Sequence, residues 1–509
     1  FTSVPEGVKL DFAVTVNPVT TGVSFEGNTV YSSEVLTKFM DIQPGQVLNS
    51  VYVGQKIQGI NAAYARDGYM LAHVDGIRVD DQGMLHVHIV EGIVEDIIPA
   101  GNKKTRDKVI TREFVQKKGK PFNKFLVRRS VERVYNLGFF DDVNVRMLPG
   151  EQDPNNVIIE IDVLEHKTGT ITLGAGYSKS DGLMGIIEFG EENFRGTGDK
   201  FKVHWEIGGK KKYKNYQISY LKPWIDSKGT SLGFSFFNRE DEYTDYNEDG
   251  NEVAEYNKKS RGFNISFGRQ TGEYTRDYLT LESRKDSYKW DDDDSSGFRY
   301  DKNAGKGKNW NNGSYNFAND KYVDKNFGRI NSITWQKVYD SRDNIYEPTR
   351  GRRISYTAQW AGHGLGGDFD FYKFTAETRM YKKLGAKNVL AFRARAGFIQ
   401  GDAPYSQLFT LGGADSLRGY EDDQFRGKYM YNATLEFRFP IVKKVSGVLF
   451  TDIGDAWDAP NVTWYNSKKT FNYGVGAGVR VTTPIGPVKL DYGVGKHKNK
   501  FHFSFGTQF

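Results

Sequence analysis

From about residue 168 onward, apolar and polar side chains alternate one by one along segment after segment of the sequence. Successive side chains of a β-strand point to opposite sides, so each such segment has one apolar face and one polar face. A whole region with this pattern is typical of strands that stand between lipid and a wet interior. The clearest apolar series are Ile171, Leu173, Ala175 and Tyr177; Tyr473, Val475, Ala477, Val479 and Val481; and Phe501, Phe503, Phe505 and Phe509.

Counting the alternating segments gives the predicted fold class, a transmembrane β-barrel of about sixteen antiparallel strands. An even number is what a closed single-chain outer-membrane barrel requires. The predicted strands are near 168–178, 182–192, 198–209, 212–222, 228–240, 257–270, 272–286, 328–338, 350–361, 368–382, 388–398, 428–438, 446–456, 472–481, 487–494 and 501–509. We expect this region, 167–509, to form one domain.

The composition narrows the class of protein further. No stretch approaches the ~20 consecutive apolar residues of a membrane-spanning helix, so a helical membrane protein is excluded. The 70 Lys and Arg residues exceed the 64 Asp and Glu residues by only six charges, so no nucleic-acid partner is expected. The chain has no cysteine, which excludes disulfides, thiolate metal sites and thiol catalysis.

Residues 18–91 and 92–166 are two similar units, each predicted to run strand, helix, helix, strand, strand (βααββ). Gly27-Asn28 follows the first strand of one unit, and Gly101-Asn102 follows the first strand of the other. Landmarks at matching offsets indicate an internal repeat of about 70 residues; two unrelated α+β domains are the alternative. The predicted helices are near 33–40, 51–66, 106–117 and 123–137.

Residues 1–17 precede both units. The alternating segment from Val8 to Val16 predicts one strand, which we interpret as the remnant of a preceding unit of the same kind. The start at Phe1 indicates a processed or truncated chain.

A long Gly-rich segment with Arg418 near its middle connects the predicted strands 388–398 and 428–438. In the second of these strands Glu436 falls on the charged face, opposite Leu435. If the apolar face meets lipid, the charged face lines the interior. The pattern therefore favours an Arg418 side chain that points inward against Glu436, with a solvated surface arginine as the alternative.

Several motifs in a fixed order resemble a known family. The two repeats are similar to POTRA domains, and the region from residue 168 resembles the barrel of the BamA family of outer-membrane protein assembly factors. The residues that carry this resemblance are Lys167-Thr168-Gly169, Gly174-Ala175-Gly176-Tyr177, Asn193-Phe194-Arg195-Gly196-Thr197-Gly198, Asp340-Ser341-Arg342-Asp343, Pro348-Thr349-Arg350-Gly351, Leu417-Arg418-Gly419-Tyr420, Phe450-Thr451-Asp452-Ile453-Gly454, Thr483-Pro484-Ile485-Gly486-Pro487 and Phe501 to Phe509.

The resemblance implies a lumenal loop lock, in which the tip Arg418-Gly419-Tyr420 folds into the barrel. Its arginine is then expected to contact acidic residues of the inner wall, at the positions Glu436 and Asp452. The residues alone leave open whether Asp452 points inward, because the apolar Phe450, two positions earlier, lies on the same face of the strand.

The first and last strands of the barrel are predicted to form a seam that opens sideways. Glycine weakens strand pairing, and an exposed strand edge can pair with an incoming strand. The residues predicted for the seam are Gly169, Gly174 and Gly176 on the first strand, and Phe501, Phe503, Phe505 and Phe509 on the last.

The function that the resemblance implies is folding and insertion of client barrels in the bacterial outer membrane, with the POTRA domains in the periplasm. Expected partners are unfolded outer-membrane proteins, periplasmic chaperones or accessory lipoproteins bound by the POTRA domains, and outer-membrane lipid. A two-partner secretion pore and a TamA-like translocation factor of the same superfamily are the alternatives. Neither an enzyme nor a cofactor or metal site is expected, and the acidic run Asp291 to Asp294 is interpreted as a solvated loop.

Overall fold

The computed structural model divides the chain into two compact units, residues 1–169 with 192–198 and residues 170–191 with 199–509. The residues it describes are 2–4, 7–9, 16–178, 182–208, 213–246, 250, 252–289, 309–310, 315–316, 327–344, 347–459, 468–483, 486–496 and 498–505. The run Asp291 to Asp294 lies outside them. None of the described helices combines the length and the apolar character needed to cross a membrane.

The first unit contains two three-stranded sheets, each flanked by two helices. Their orders are β3-β5-β4 and β6-β8-β7, so the predicted βααββ repeat is confirmed. The elements are β1 Thr2–Val4, β2 Gly7–Lys9, β3 Gly22–Glu26, α1 Ser33–Met40, α2 Ser50–Arg66, β4 His73–Val79, β5 Met84–Val90, β6 Val94–Ala100, α3 Asp107–Thr111, α4 Lys124–Tyr135, β7 Phe140–Pro149 and β8 Val157–Glu165.

Each repeat uses one carboxylate to hold the loop between its first strand and its first helix. In the first repeat, Glu91 accepts hydrogen bonds from the backbone N–H groups of Thr29 (2.8 Å) and Val30 (2.9 Å). In the second, Glu165 accepts them from residues 103, 104 and 105 at 3.0, 2.8 and 2.6 Å. A carboxylate that gathers backbone donors in this way fixes a loop that has no ladder of its own.

The Gly-Asn landmarks of the repeats have a structural cause. Gly27 and Gly101 both have positive φ, 83° and 79°, and a Cβ on them would lie 2.1 Å from Ile89 O and 2.3 Å from Val163 O. Only glycine fits a positive φ so close to a neighbouring strand. The two repeats therefore share a backbone requirement.

The Glu91 carboxylate also binds the core of the first repeat. The hydroxyl of Tyr64, a side chain with no exposed surface, donates to Glu91 Oε1 at 2.8 Å. Burial first, and then the hydrogen bond to Glu91, raise the pKa of Tyr64 above its ordinary value. One carboxylate thus joins the loop, the end of β5 and helix α2.

One helix predicted in the first unit was wrong in extent. The helix predicted near 106–117 ends at Thr111, because the N–H groups of Val115 (2.8 Å) and Gln116 (3.3 Å) donate to Ser130 Oγ of α4 instead of continuing the helix. Residues 10–15, most of the strand predicted from Val8 to Val16, lie outside the described residues, so that strand stays a prediction. The described part of this stretch contains the end of β2, which pairs antiparallel with β1.

The second unit is built on one antiparallel sheet of 16 strands, which confirms the predicted fold class. Each predicted strand overlaps its observed counterpart. The strands of this sheet are β9 Gly169–Ser178, β10 Gly182–Phe194, β11 Asp199–Gly208, β12 Tyr213–Lys222, β13 Ser231–Tyr246, β14 Glu252–Gln270, β15 Thr275–Lys289, β18 Arg329–Asp340, β19 Gly351–Ala361, β20 Phe371–Leu384, β21 Asn388–Gly401, β24 Tyr429–Val442, β25 Val445–Trp457, β26 Asn472–Thr483, β27 Gly486–Val494 and β28 Asn499–Phe505.

Short strands outside the sheet lie in the connections. They are β16 Asn309–Trp310, β17 Tyr315–Asn316, β22 Phe409–Leu411 and β23 Phe425–Gly427. The strands of the 16-stranded sheet lie in the order in which they occur in the sequence, from β9 at one end to β28 at the other. Such up-and-down order is what a barrel wall requires.

The two faces of the wall meet different surroundings, as β24 shows. Glu436 is 2% exposed and Arg438 is 6% exposed, whereas Leu435 between them is 43% exposed. Charged side chains are buried on one face and apolar ones are presented on the other, which is the reverse of a water-soluble sheet. We call the face that carries Glu436 the inner face, and the other is the lipid-facing surface of the transmembrane barrel.

Replacing Glu91 is expected to destabilise the first repeat. Glu91→Ala should lower the free energy of unfolding by about 1.5–3 kcal/mol, because buried donors lose a charged acceptor. Glu91→Gln should cost less, since its oxygen still accepts. Urea unfolding of residues 16–166, followed by circular dichroism, measures both. Glu26→Gln, at the exposed end of β3, is the matched control, and an equal loss in that control would contradict the assignment.

Candidate functional site: a charged loop inside the sheet

The connection between β21 and β24 is a folded loop with a core of its own. It contains a 3-10 helix, Tyr405–Gln407, and the β22–β23 ladder, which brings Phe409 opposite Gly427. Leu417 has no exposed surface and packs in this apolar cluster. The loop tip begins directly after Leu417, so the docked tip keeps this side chain buried in the cluster.

Arg418 enters a pair of acidic side chains on the inner face. Its Nε donates to Asp452 Oδ2 at 2.8 Å and its Nη2 to Asp452 Oδ1 at 2.9 Å. Its Nη1 donates to Glu436 Oε1 at 2.8 Å. The planar guanidinium thus engages one carboxylate in bidentate fashion and a second at its other edge, a geometry that lysine cannot reproduce. The structure brings Arg418, Glu436 and Asp452 together.

Three further charged residues complete the site. Arg480 holds Asp491 through two bonds of 2.6 and 2.9 Å, and Asp491 lies 3.4 Å from Arg418 Nη1. Arg438 contacts Glu436 Oε2 at 2.7 Å. Three arginines therefore face three carboxylates, and the formal charge of the cluster is zero. We call these six residues the charge cluster: Arg418, Arg438, Arg480, Glu436, Asp452 and Asp491.

Every member of the charge cluster is buried. Arg418 is 3% exposed and Asp452 is 1% exposed. Burial by itself lowers the pKa of Arg418, but the charges of Asp452 and Glu436 outweigh it and raise the pKa above its ordinary value. The guanidinium stays charged at this buried position because its counter-charges are in contact with it.

Asp452 and the aromatic residue Phe450, two positions apart on β25, both lie on the inner face. Glu436 pairs with Phe450 across the strands, and Thr434 pairs with Asp452. The Phe450 ring also points inward, and the Arg418 guanidinium carbon lies 3.4 Å from its centroid. The ring is a floor for the cation, an arrangement that adds to the attraction when water is excluded.

Glycines let the loop tip approach the wall. A Cβ on Gly474 would lie 2.0 Å from Arg418 O, and one on Gly493 would lie 2.5 Å from Gly419 N. Gly419 itself has φ 95°, which disfavours any other residue. Glycine at these positions of β26 and β27 therefore leaves the room that the backbone of the loop tip occupies.

Tyr420, the last residue of the tip, is bound at its hydroxyl. It donates to Tyr473 O at 3.0 Å and accepts from Lys496 N at 3.0 Å. The ring is buried and meets Phe425 edge to face, with centroids 5.2 Å apart. All three residues predicted for the tip, Arg418, Gly419 and Tyr420, therefore contact the inner side of the sheet or the loop's own core.

A second group of charges supports the loop on its other side. Arg393 donates to Asp415 O at 2.7 Å and to Glu377 Oε2 at 3.0 Å. Lys489 of β27 reaches the Asp415 carboxylate at 2.7 Å. The loop is thus held between β21 and β27.

The seam residues lie on the two strands at the ends of the sheet order. Phe501 and Phe503 of β28 are each 62% exposed on the lipid-facing side, and β28 ends at Phe505. Gly169, Gly174 and Gly176 all lie in β9. Phe509 lies outside the described residues, so its placement stays a prediction.

Sequence reasoning did not assign Arg438, Arg480, Asp491 or His502 to the site. The signal available was parity: each is a charged or polar residue on the polar face of an alternating segment. Parity gives the face but not the neighbour, which depends on the register between strands that are far apart in sequence.

Removing the Arg418 charge should destabilise the barrel. Arg418→Ala leaves buried carboxylates without their counter-charge, and about 3–5 kcal/mol of folding free energy should be lost. Arg418→Lys should have a stability between that of this variant and that of the parent protein, because an ammonium keeps the charge but cannot reproduce the planar, bidentate bond to Asp452. Denaturant unfolding in lipid vesicles, followed by the shift in gel mobility, measures the loss.

Lys428→Met is the control for this experiment, since the hydrogen bond described for the Lys428 side chain is an exposed one, to Gly401 O at 2.8 Å. If Arg418→Ala were no less stable than Lys428→Met, the charge cluster would not hold the loop.

Comparison with known proteins places these features in one family. The Omp85 superfamily domain matches residues 193–509. The POTRA family, described as a surface antigen variable number repeat, matches residues 18–92 and 93–166. The outer membrane protein assembly factor BamA of Nitratidesulfovibrio vulgaris is 25% identical over 546 residues, which cover 99% of this chain. The chain spans only 64% of that relative's length.

Two solved structures are similar along nearly the whole chain. BamA from Haemophilus ducreyi lacking POTRA domains 1-3 has a TM-score of 0.63 and 20% identity, over 97% of this chain and 100% of that one. CdiB from Escherichia coli has a TM-score of 0.66 and 14% identity, over 100% and 94%. At such identities the likeness shows the fold alone. Because the superfamily domain matches more than half of the sequence, the chain belongs to the Omp85 superfamily.

Proposed function

We propose that this chain folds and inserts client barrel proteins in the bacterial outer membrane, with its POTRA domains in the periplasm. The observation that carries the proposal is the similarity to an assembly factor over 99% of the chain, through both the repeats and the barrel. The charge cluster is consistent with this role. It fixes a loop inside the barrel, so we infer that clients are inserted at the barrel wall and do not pass through an open lumen.

The site of insertion is the seam between β9 and β28. These strands are the two ends of the sheet order in the part of the chain described. Residues 169–174 of β9 are exposed on both faces, whereas His502, on the inner face of β28, is 4% exposed. A strand edge with free backbone groups is a template for an incoming strand, and β9 presents one.

The partners follow from the strand edges and the outer surface. In the repeats, β3 and β4 are the edges of one sheet, and β6 and β7 are the edges of the other. Unfolded clients, chaperones or accessory lipoproteins can add a strand there. The apolar outer surface, on which Leu435 and Phe501 are exposed, contacts lipid.

The chain acts without covalent chemistry. Burial of a client's apolar face in lipid supplies the driving force, since the hydrophobic effect is proportional to the apolar area removed from water. The seam lowers the barrier by offering partners to the client's backbone groups, which bare lipid cannot do.

Depletion of the protein in its native organism tests the function. The expected result is a general loss of outer-membrane barrel proteins, measured by quantitative mass spectrometry of isolated outer membranes. A secretion pore of the same superfamily is the alternative. Loss of a single exported protein, with the other barrels unchanged, would support that pore and contradict the proposal.

Joining the seam should stop insertion. The chain has no cysteine, so one cysteine placed in β9 and one in β28 form a unique disulfide. Client assembly into vesicles should fall to background when the pair is oxidised and return on reduction. A pair placed between β12 and β13, which are already neighbours, is the control and should have no effect. Full activity of the oxidised seam pair would exclude lateral insertion.

A further inference from the structure

The loop tip lies along the inner face of the last two strands as well as on the charge cluster. Asp415 contacts Lys489, Arg418 contacts Asp491, and Tyr420 is bonded to Lys496 N. As the loop advances in sequence, its partners advance along β27 and into the turn that follows it. Two further contacts reach the terminal strand β28: Gly419 N donates to His502 Nε2 at 2.9 Å, and Lys500 binds the Glu421 carboxylate.

The bond between Gly419 and His502 fixes the state of the imidazole. A backbone N–H can only donate, so Nε2 must be the unprotonated nitrogen of the ring. The proton of the neutral ring is then on Nδ1. Protonation of Nε2 would place two donors against each other at a buried contact.

The Gly419 N–H is held in place by its surroundings. Gly493 and Gly495 approach so closely that an added Cβ would lie 2.5 Å from Gly419 N and 2.8 Å from Gly419 O. Since the tip cannot rotate without leaving this contact, loss of the His502 acceptor leaves a buried donor unpaired. That loss favours release of the tip.

Four charged groups act on the His502 ring. Asp491 is its cross-strand neighbour on β27, and Lys500 is on its own strand. Arg418 and Asp422 act from the loop. Asp491 and Lys500 are already paired, with Arg480 and Glu421, so the Gly419 N–H is the specific partner of the ring.

We propose that His502 is a positioning residue that couples the loop tip to the terminal strand through its neutral imidazole. The terminal strand then cannot leave its place without releasing the tip, and protonation of the ring releases it as well. The biological meaning of this coupling rests on the proposed function, because β28 is one side of the seam.

The test measures release of the tip without any client. Leu417 has no exposed surface, so a single cysteine there, in the full chain in phospholipid vesicles, reacts slowly with a bulky polar maleimide while the tip is docked. His502→Leu, which has no acceptor, should react roughly three- to tenfold faster at pH 8. His502→Gln, whose amide oxygen accepts, should react at the parent rate.

The pH profile separates coupling from a packing role. Relative to His502→Gln at the same pH, the protein with His502 should react increasingly faster as pH falls below the ordinary histidine pKa of about 6.5. Ser504→Ala is the matched control, because Ser504 is on the same strand and its buried Oγ has no hydrogen-bond partner among the described residues.

Two results would overturn the coupling. One is an equal labelling rate for His502→Leu and Ser504→Ala. The other is a His502 profile that follows His502→Gln at every pH, a comparison that stands even if His502→Leu does not fold. Because no client is present, these results are independent of whether the chain inserts barrels, which the depletion experiment decides.

Discussion

The balance of buried charge around Arg418 is the interaction on which the rest of the second unit depends. Three guanidinium groups and three carboxylates are buried together, and each ion is tolerated only because its counter-ions are in contact. The cluster joins the loop to β24, β25, β26 and β27 at one place. The same contacts therefore hold both the loop tip and the inner face of these strands in place.

Close packing of backbone makes that contact possible. The wall of β26 is flat at Gly474, where the Arg418 carbonyl approaches, and at Gly478, where a Cβ would lie 1.8 Å from Asp491 Oδ1. Glycine in a strand lowers local stability, and here the space is filled by the loop backbone at Gly474 and by the Asp491 side chain at Gly478. Glycines that weaken strand packing thus also leave the space in which the loop tip binds.

In the repeats of the first unit, too, a charged group and a glycine at a close backbone contact hold a loop in place. Glu91 and Glu165 each accept hydrogen bonds from the backbone N–H groups of one loop, so a single carboxylate satisfies donors that no strand pairs with. The landmarks that revealed the repeat, Gly27 and Gly101, are glycine for steric reasons. The glycine that recurs in the sequence repeat is therefore the residue that the backbone geometry requires.

The sequence by itself determined the sixteen strands, the βααββ repeats and the inward face of Glu436, because alternation and turn chemistry are local properties, and it favoured the inward direction of Arg418. Only the tertiary structure decided that Arg480, Asp491 and His502 join the site. Their contacts depend on the register of strands separated by long loops, and a shift of one residue would turn each side chain to the other face.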